Sequence, residues 1–274
     1  MLRKLLTLLA LFTFACFAKA AETGKLLPTA SLAAEVKQVS SPISEPLELR
    51  RSKGLRLQKE ISGFVIAQMQ SMREISQEQL RAQLQAILCP DSDTSSCDCN
   101  QPPYVFSNTW GGRRGTSQFV VAYALYLGFL GPQSSITVLE GYERDNSTGA
   151  IRRTAVGGSE FDGYFVDFQM VHQFYRPPEI WVLTWGNVLG ASGRGVRGRA
   201  TVYRVKSEAV EVAWNDAKHD NVTAQRNALG WEVDYGDHDL IYGYDPKPYF
   251  FDVYAVNHQK RTFSRIVHHH YAPD

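Results

Sequence analysis

The chain has 274 residues, with 29 basic against 28 acidic side chains and 44 % apolar residues. That apolar share is enough for a real core, and the near neutrality excludes a bulk polyanion binder, so no nucleic-acid partner is expected. The first twenty residues hold three basic and no acidic groups, which leaves 26 basic against 28 acidic and a formal charge of −2 beyond them.

Residues 1–20 read as a secretory signal. Arg3 and Lys4 give a positive start, Leu5 to Ala18 form an apolar run, and Ala18-Lys19-Ala20 is a small-x-small site before Ala21. The run is short for a membrane span. Cys16 raises a lipoprotein alternative, disfavoured because bulky Phe14 sits where a lipobox carries a small residue. An exported chain, periplasmic or extracellular, is the expectation, without an integral membrane segment after signal removal.

Residues 21–46 are rich in Ala, Ser, Pro, Lys and Glu without a sustained period, and are read as a flexible arm. Residues 47–88 change character. Leu57, Ile61, Phe64, Val65, Met69 and Met72 recur at helical spacing, with Gly63 a mild weakness. Ser76 with Gln79 gives a capping-box signature, Leu80, Leu84, Ile87 and Leu88 share one face, and Pro90 stops the run. Two helices joined near Glu74 and Ile75 follow, their apolar faces packing on the rest of the chain or mediating self-association.

Residues 89–100, "CPDSDTSSCDCN", form a linker loop carrying Cys89, Cys97 and Cys99. In an oxidising compartment these become a staple, Cys89 with Cys97 or Cys99. Closing a loop of roughly ten residues stabilises the fold by about 2–3 kcal/mol in the chain-entropy model. The spacing matches neither a zinc knuckle nor a calcium loop.

From residue 101 to residue 274 the texture is that of an antiparallel β domain. Short runs of Val, Tyr, Phe, Trp and Thr alternate with turn residues, giving eight to eleven strands. Tyr142, Tyr203 and Tyr254 recur, each in a strand followed by a polar turn and a strand of alternating pattern. The stretch from Phe165 to Trp214 parses as a four-stranded blade. The expected fold is mainly β, antiparallel sheets arranged as a sandwich or as partial propeller-like blades, preceded by a short helical hairpin.

No catalytic motif accompanies this fold. "GRGVRGR", Gly193 to Arg199, formally matches a dinucleotide loop, but a strand follows where a helix N-terminus should receive the pyrophosphate, so a hairpin is expected. There is no Gly-x-Ser-x-Gly, His-Glu-x-x-His or Walker pattern, and no cofactor is expected. The candidate ligand-binding residues are Trp110, Arg113 and Arg114 in one glycine-rich loop and Arg194, Arg197 and Arg199 in another, suited to protein or carbohydrate. Asp234, Asp237, His238 and Asp239, with His268 and His270, have the chemistry of a metal site. In a simple meander that treats "DLIYGYD" as a further strand, the two clusters fall at opposite sheet ends, roughly 17–27 Å apart. On that count no metal site is expected. The reading that follows is an exported binding module without catalysis, with a metal-dependent hydrolase and a helix-mediated scaffold as alternatives.

Overall fold

The computed structural model describes residues 29–40, 45–89, 103–108, 115–127, 135–161, 167–175, 177–189, 196–216, 222–236 and 249–271. Among these described residues three helices come first: α1 (Thr29–Ser40), α2 (Leu47–Ser71) and α3 (Gln77–Leu88). Twelve strands follow among the described residues: β1 (Tyr104–Asn108), β2 (Thr116–Tyr126), β3 (Ser135–Asp145), β4 (Ile151–Phe161), β5 (Asp167–Tyr175), β6 (Pro178–Leu189), β7 (Val196–Lys206), β8 (Val210–Asp216), β9 (Val222–Arg226), β10 (Gly230–Gly236), β11 (Tyr249–Asn257) and β12 (Thr262–Tyr271). They form three antiparallel meanders, β1-β2-β3-β4, β5-β6-β7-β8 and β9-β10-β11-β12. The fold is mainly β, as the strand texture implies, and the blade parsed from Phe165 to Trp214 is the second sheet.

The helices form for the reasons their spacing suggests. Ser76 caps α3, its hydroxyl oxygen accepting from the Gln79 N–H at 3.2 Å. Leu57, Ile61, Val65 and Met69 of α2 and Leu80, Leu84 and Ile87 of α3 are buried against Val121, Tyr123, Val138 and Tyr142 of the first sheet. Their apolar faces are therefore consumed by packing on the β strands, the faces a self-associating hairpin would need.

The flexible arm requires correction. Its residues 29–40 form α1, and Leu32, Val36 and Val39 are buried in the same core as α2 and α3. Those residues stand four and three apart, a helical stripe. The stripe is only three residues wide and is flanked by Ala and Ser, so it gains its stability from the neighbours it packs on rather than from its own sequence.

The sheets stack face to face. The first sheet meets the helices on one face and, through Val120, Ala122 and Leu139, meets Phe168, Ile180, Val182, Tyr203 and Val205 of the second sheet on the other. The second sheet in turn packs Val171, Phe174, Trp181, Leu183 and Val202 on Val222, Ala224, Trp231, Val233 and Tyr254 of the third. Four layers result, ordered along the chain: helices, then the first, second and third sheets. At the second interface Gly198 lets β7 approach β9 so closely that a Cβ there would lie 2.2 Å from the Val222 nitrogen.

The tyrosine recurrence marks a true structural repeat. Tyr142, Tyr203 and Tyr254 each lie in the third strand of their sheet. Each sits beside a bulge whose extra residue, Thr154, Ala213 or Ile266, lies in the fourth strand. Each ring also faces the preceding layer: Tyr142 the helices, Tyr203 the first sheet and Tyr254 the second.

Candidate functional site

The register of the repeat builds three polar clusters. Two residues before each tyrosine, on the same face, stand Glu140, Thr201 and Asp252. Their cross-strand partners are Val156, Asn215 and His268. Opposite the tyrosines stand Arg153, Val212 and Arg265. One side-chain pattern is thus written three times and filled differently each time.

In the first sheet Glu140 is fully buried beneath α2. Its carboxylate accepts from the Ser62 hydroxyl, the Tyr142 hydroxyl and, at 3.0 Å, the Arg153 guanidinium. Burial, and next the Glu140 charge, push the Tyr123 and Tyr142 phenols well above the ordinary range. Every partner is a protein group, and Arg153 also donates to Ser62 at 2.7 Å. This cluster holds the helix layer to the sheet.

In the second sheet the equivalent positions hold Thr201 and Asn215, whose side chains meet at 3.2 Å, while a separate buried acid, Glu179, lies on the opposite face beside Trp181. Glu179 accepts from the Trp181 indole and, at 3.1 Å, from Arg261, which reaches over from the β11–β12 turn. The Arg204 guanidinium lies 4.5 Å over the Trp181 ring and 3.6 Å from the same carboxylate. Here too a buried charge joins two layers.

The third cluster is open to solvent and is the candidate site. Asp252 is 1 % exposed, and its carboxylate meets His268 Nδ1 at 2.6 Å, Arg265 at 3.3 Å and the Tyr254 hydroxyl at 3.3 Å. The side chains of His268 and Arg265 are 44 % and 49 % exposed. Phe250 stacks on the His268 ring at 5.8 Å. Burial, and next the Asp252 charge, raise the Tyr254 phenol to about 12. A carboxylate holding imidazole Nδ1 in this way orients the ring and leaves Nε2 available for a proton or an ion.

The sequence-predicted residues fare unevenly. His268 belongs to this cluster, and Asp252, its anchor, was not singled out; the signal was the acid two residues before Tyr254, matching Glu140 before Tyr142. Arg199 is half-buried and donates to Asn215 at 3.4 Å. Trp110, Arg113, Arg114, Arg194, Asp237, His238, Asp239, Cys97 and Cys99 lie outside the described residues, as do the side chains of Arg197 and His270. Of the acidic cluster only Asp234 lies among the described residues, and it stands nearer the histidines than the expected distance of roughly 17–27 Å. "DYG" ends β10, β10 pairs directly with β11, and Gly236, Tyr249 and Tyr271 are aligned at one end of the sheet. Asp234 and His269 stand on either side of Phe251, about 10 Å apart by strand spacing. Among the described residues no group of three His, Cys, Asp or Glu side chains is arranged to hold a metal ion.

No family model, no curated protein and no solved structure matches this chain.

Proposed function

We propose that the protein is an exported interaction module that presents the outer face of its third sheet to a protein partner. The observation that carries this reading is the one-ended stack. The helices cover the first sheet, and each sheet covers the next. The outer face of the third sheet displays Thr223, Gln225, Ser264, Val267 and His269, all exposed, around the buried Val253. Apolar and polar groups mixed on one sheet face suit protein contact. Export rests on the signal-like residues 1–20. It rests also on Cys89, placed where the chain leaves α3, for which we propose a disulfide bond. Cys97 or Cys99 is the proposed partner.

The test is crosslinking of the tag-free mature chain within its own exported fraction, followed by titration of the purified captured partner. Binding that weakens at least tenfold in Val267→Glu, while the fold is unchanged, supports the reading; undiminished binding removes it. A second reading, a hydrolase, is favoured by the Asp252–His268 contact alone. A hydrolytic turnover that His268→Ala abolishes in a folded protein would put it in first place.

A further inference from the structure

A second pair of imidazoles lies away from the Asp252 cluster, across the interface of the second and third sheets. His172 belongs to β5, and His258 opens the turn between β11 and β12. His258 Nδ1 lies 3.0 Å from His172 Nε2, although the two residues are 86 apart in sequence. The ring centroids are 4.3 Å apart at an angle of 64°. The edge of His172 also rests on Phe174 at 4.4 Å.

The exposed turn that carries His258 is fixed from several sides. Asn257 Oδ1 accepts from the Gln259 and Lys260 N–H groups at 3.1 and 2.9 Å. The Arg261 N–H donates to the Asn257 carbonyl at 2.8 Å. The Arg261 side chain reaches the second sheet, donating to Glu179 and to the Pro177 carbonyl and lying 4.9 Å over Phe174. Both imidazoles are therefore held by elements that do not depend on their mutual contact.

We propose that His172 and His258 form a two-imidazole chelate for a first-row divalent ion of the Zn²⁺ or Cu²⁺ type, with water completing the coordination. Donors about 2.0–2.1 Å from one ion, at angles between square and tetrahedral, are spaced about 2.9–3.4 Å apart. The observed 3.0 Å falls inside that bite. In the free protein one ring donates its N–H to the other. On binding, that proton moves through solvent to the far nitrogen of the same ring, so both facing lone pairs meet the ion with no change in total protonation.

The surroundings select the kind of ion. Burial, and next the neighbouring His258 and Arg226, lower the His172 pKa. Arg226 also opposes any cation, which favours ions that gain strongly from imidazole nitrogen over Mg²⁺ and Ca²⁺, which require oxygen. With two protein ligands the affinity belongs in the micromolar range.

The test uses the tag-free mature chain in which His268→Gln, His269→Ala and His270→Ala remove the competing histidines. Zn²⁺ and Cu²⁺ are titrated calorimetrically, alongside thermal melts. The expected result is one site per chain, a rise in Tm with Zn²⁺, no response to Mg²⁺ or Ca²⁺, and at least tenfold weaker binding in His258→Ala. His258 is exposed in a turn, so its loss leaves the core intact, and His172→Gln provides the second arm. Unchanged affinity in both variants, or no binding at several hundred micromolar of either ion, overturns the proposal and leaves the pair as a hydrogen bond between sheets.

Discussion

At the scale of single residues the fold is marked by buried charges that are answered. Glu140, Glu179 and Asp252 are each buried, and each is met by an arginine and an aromatic donor. An isolated buried carboxylate is costly, and removal of one partner from a buried pair typically costs about 3–5 kcal/mol, so these clusters are sensitive to change on either side. They also predict how the protein responds to alkali. Tyr123, Tyr142 and Tyr254 have phenol pKa values raised by burial first and by the adjacent carboxylate second. The folded state therefore favours the protonated phenol. The stability this contributes is complete below the unfolded value of about 10 and is lost as pH rises through the folded values, about 12 for Tyr254. Titration of tyrosinate absorbance should show two phases, the late one coinciding with loss of near-ultraviolet circular dichroism. A single reversible phase with all thirteen tyrosines titrating in folded protein would contradict this.

At the scale of elements, the sheets are individually ordinary meanders and their spacing is set by small residues at the contacts. Gly198 is the sharpest case, because the atom its Cβ would strike is backbone and has no rotamer to yield. Gly198→Ala should destabilise the protein by about 1–3 kcal/mol, the usual cost of overpacking, with the third sheet displaced. Urea unfolding with the slope held constant measures it. Much of this level was legible in advance. The spacing of Leu57, Ile61, Val65 and Met69 and the Ser76 cap specify α2 and α3, and the alternation in "RATVYRV" specifies β7. α1 was not legible, because three apolar residues among Ala and Ser form a stripe too narrow to stand out until its partners are known. β9 and β10 were missed because "VTAQR" and "GWEVDYG" are short and half polar.

At the scale of the whole molecule, helices and sheets share cores, so the helical segment is not an appendage. Without α1 to α3 the first sheet would expose Val121, Tyr123, Val138 and Tyr142 to water. Burial of such side chains stabilises by about 1.5–3 kcal/mol each. A chain beginning at residue 103 should therefore be poorly soluble or lack a cooperative melt, while the mature chain unfolds in one transition. Calorimetry of both decides it, and a sharp transition in the shortened chain would show that the β layers stand alone.

By itself the sequence determined what depends on neighbours close along the chain: the strand-rich class, two of the helices, their faces, and the Tyr142, Tyr203 and Tyr254 recurrence. Periodicity is a local property, and those features are local. Tertiary structure alone decided the order of the layers, the bulge beside each tyrosine, the anchoring of His268 by Asp252 and the meeting of His172 with His258. Each of those depends on which faces pack and in what register. A one-residue change of register turns every side chain of a strand to the other face, so a contact between residues 86 apart is set by the assembled sheets and not by either segment.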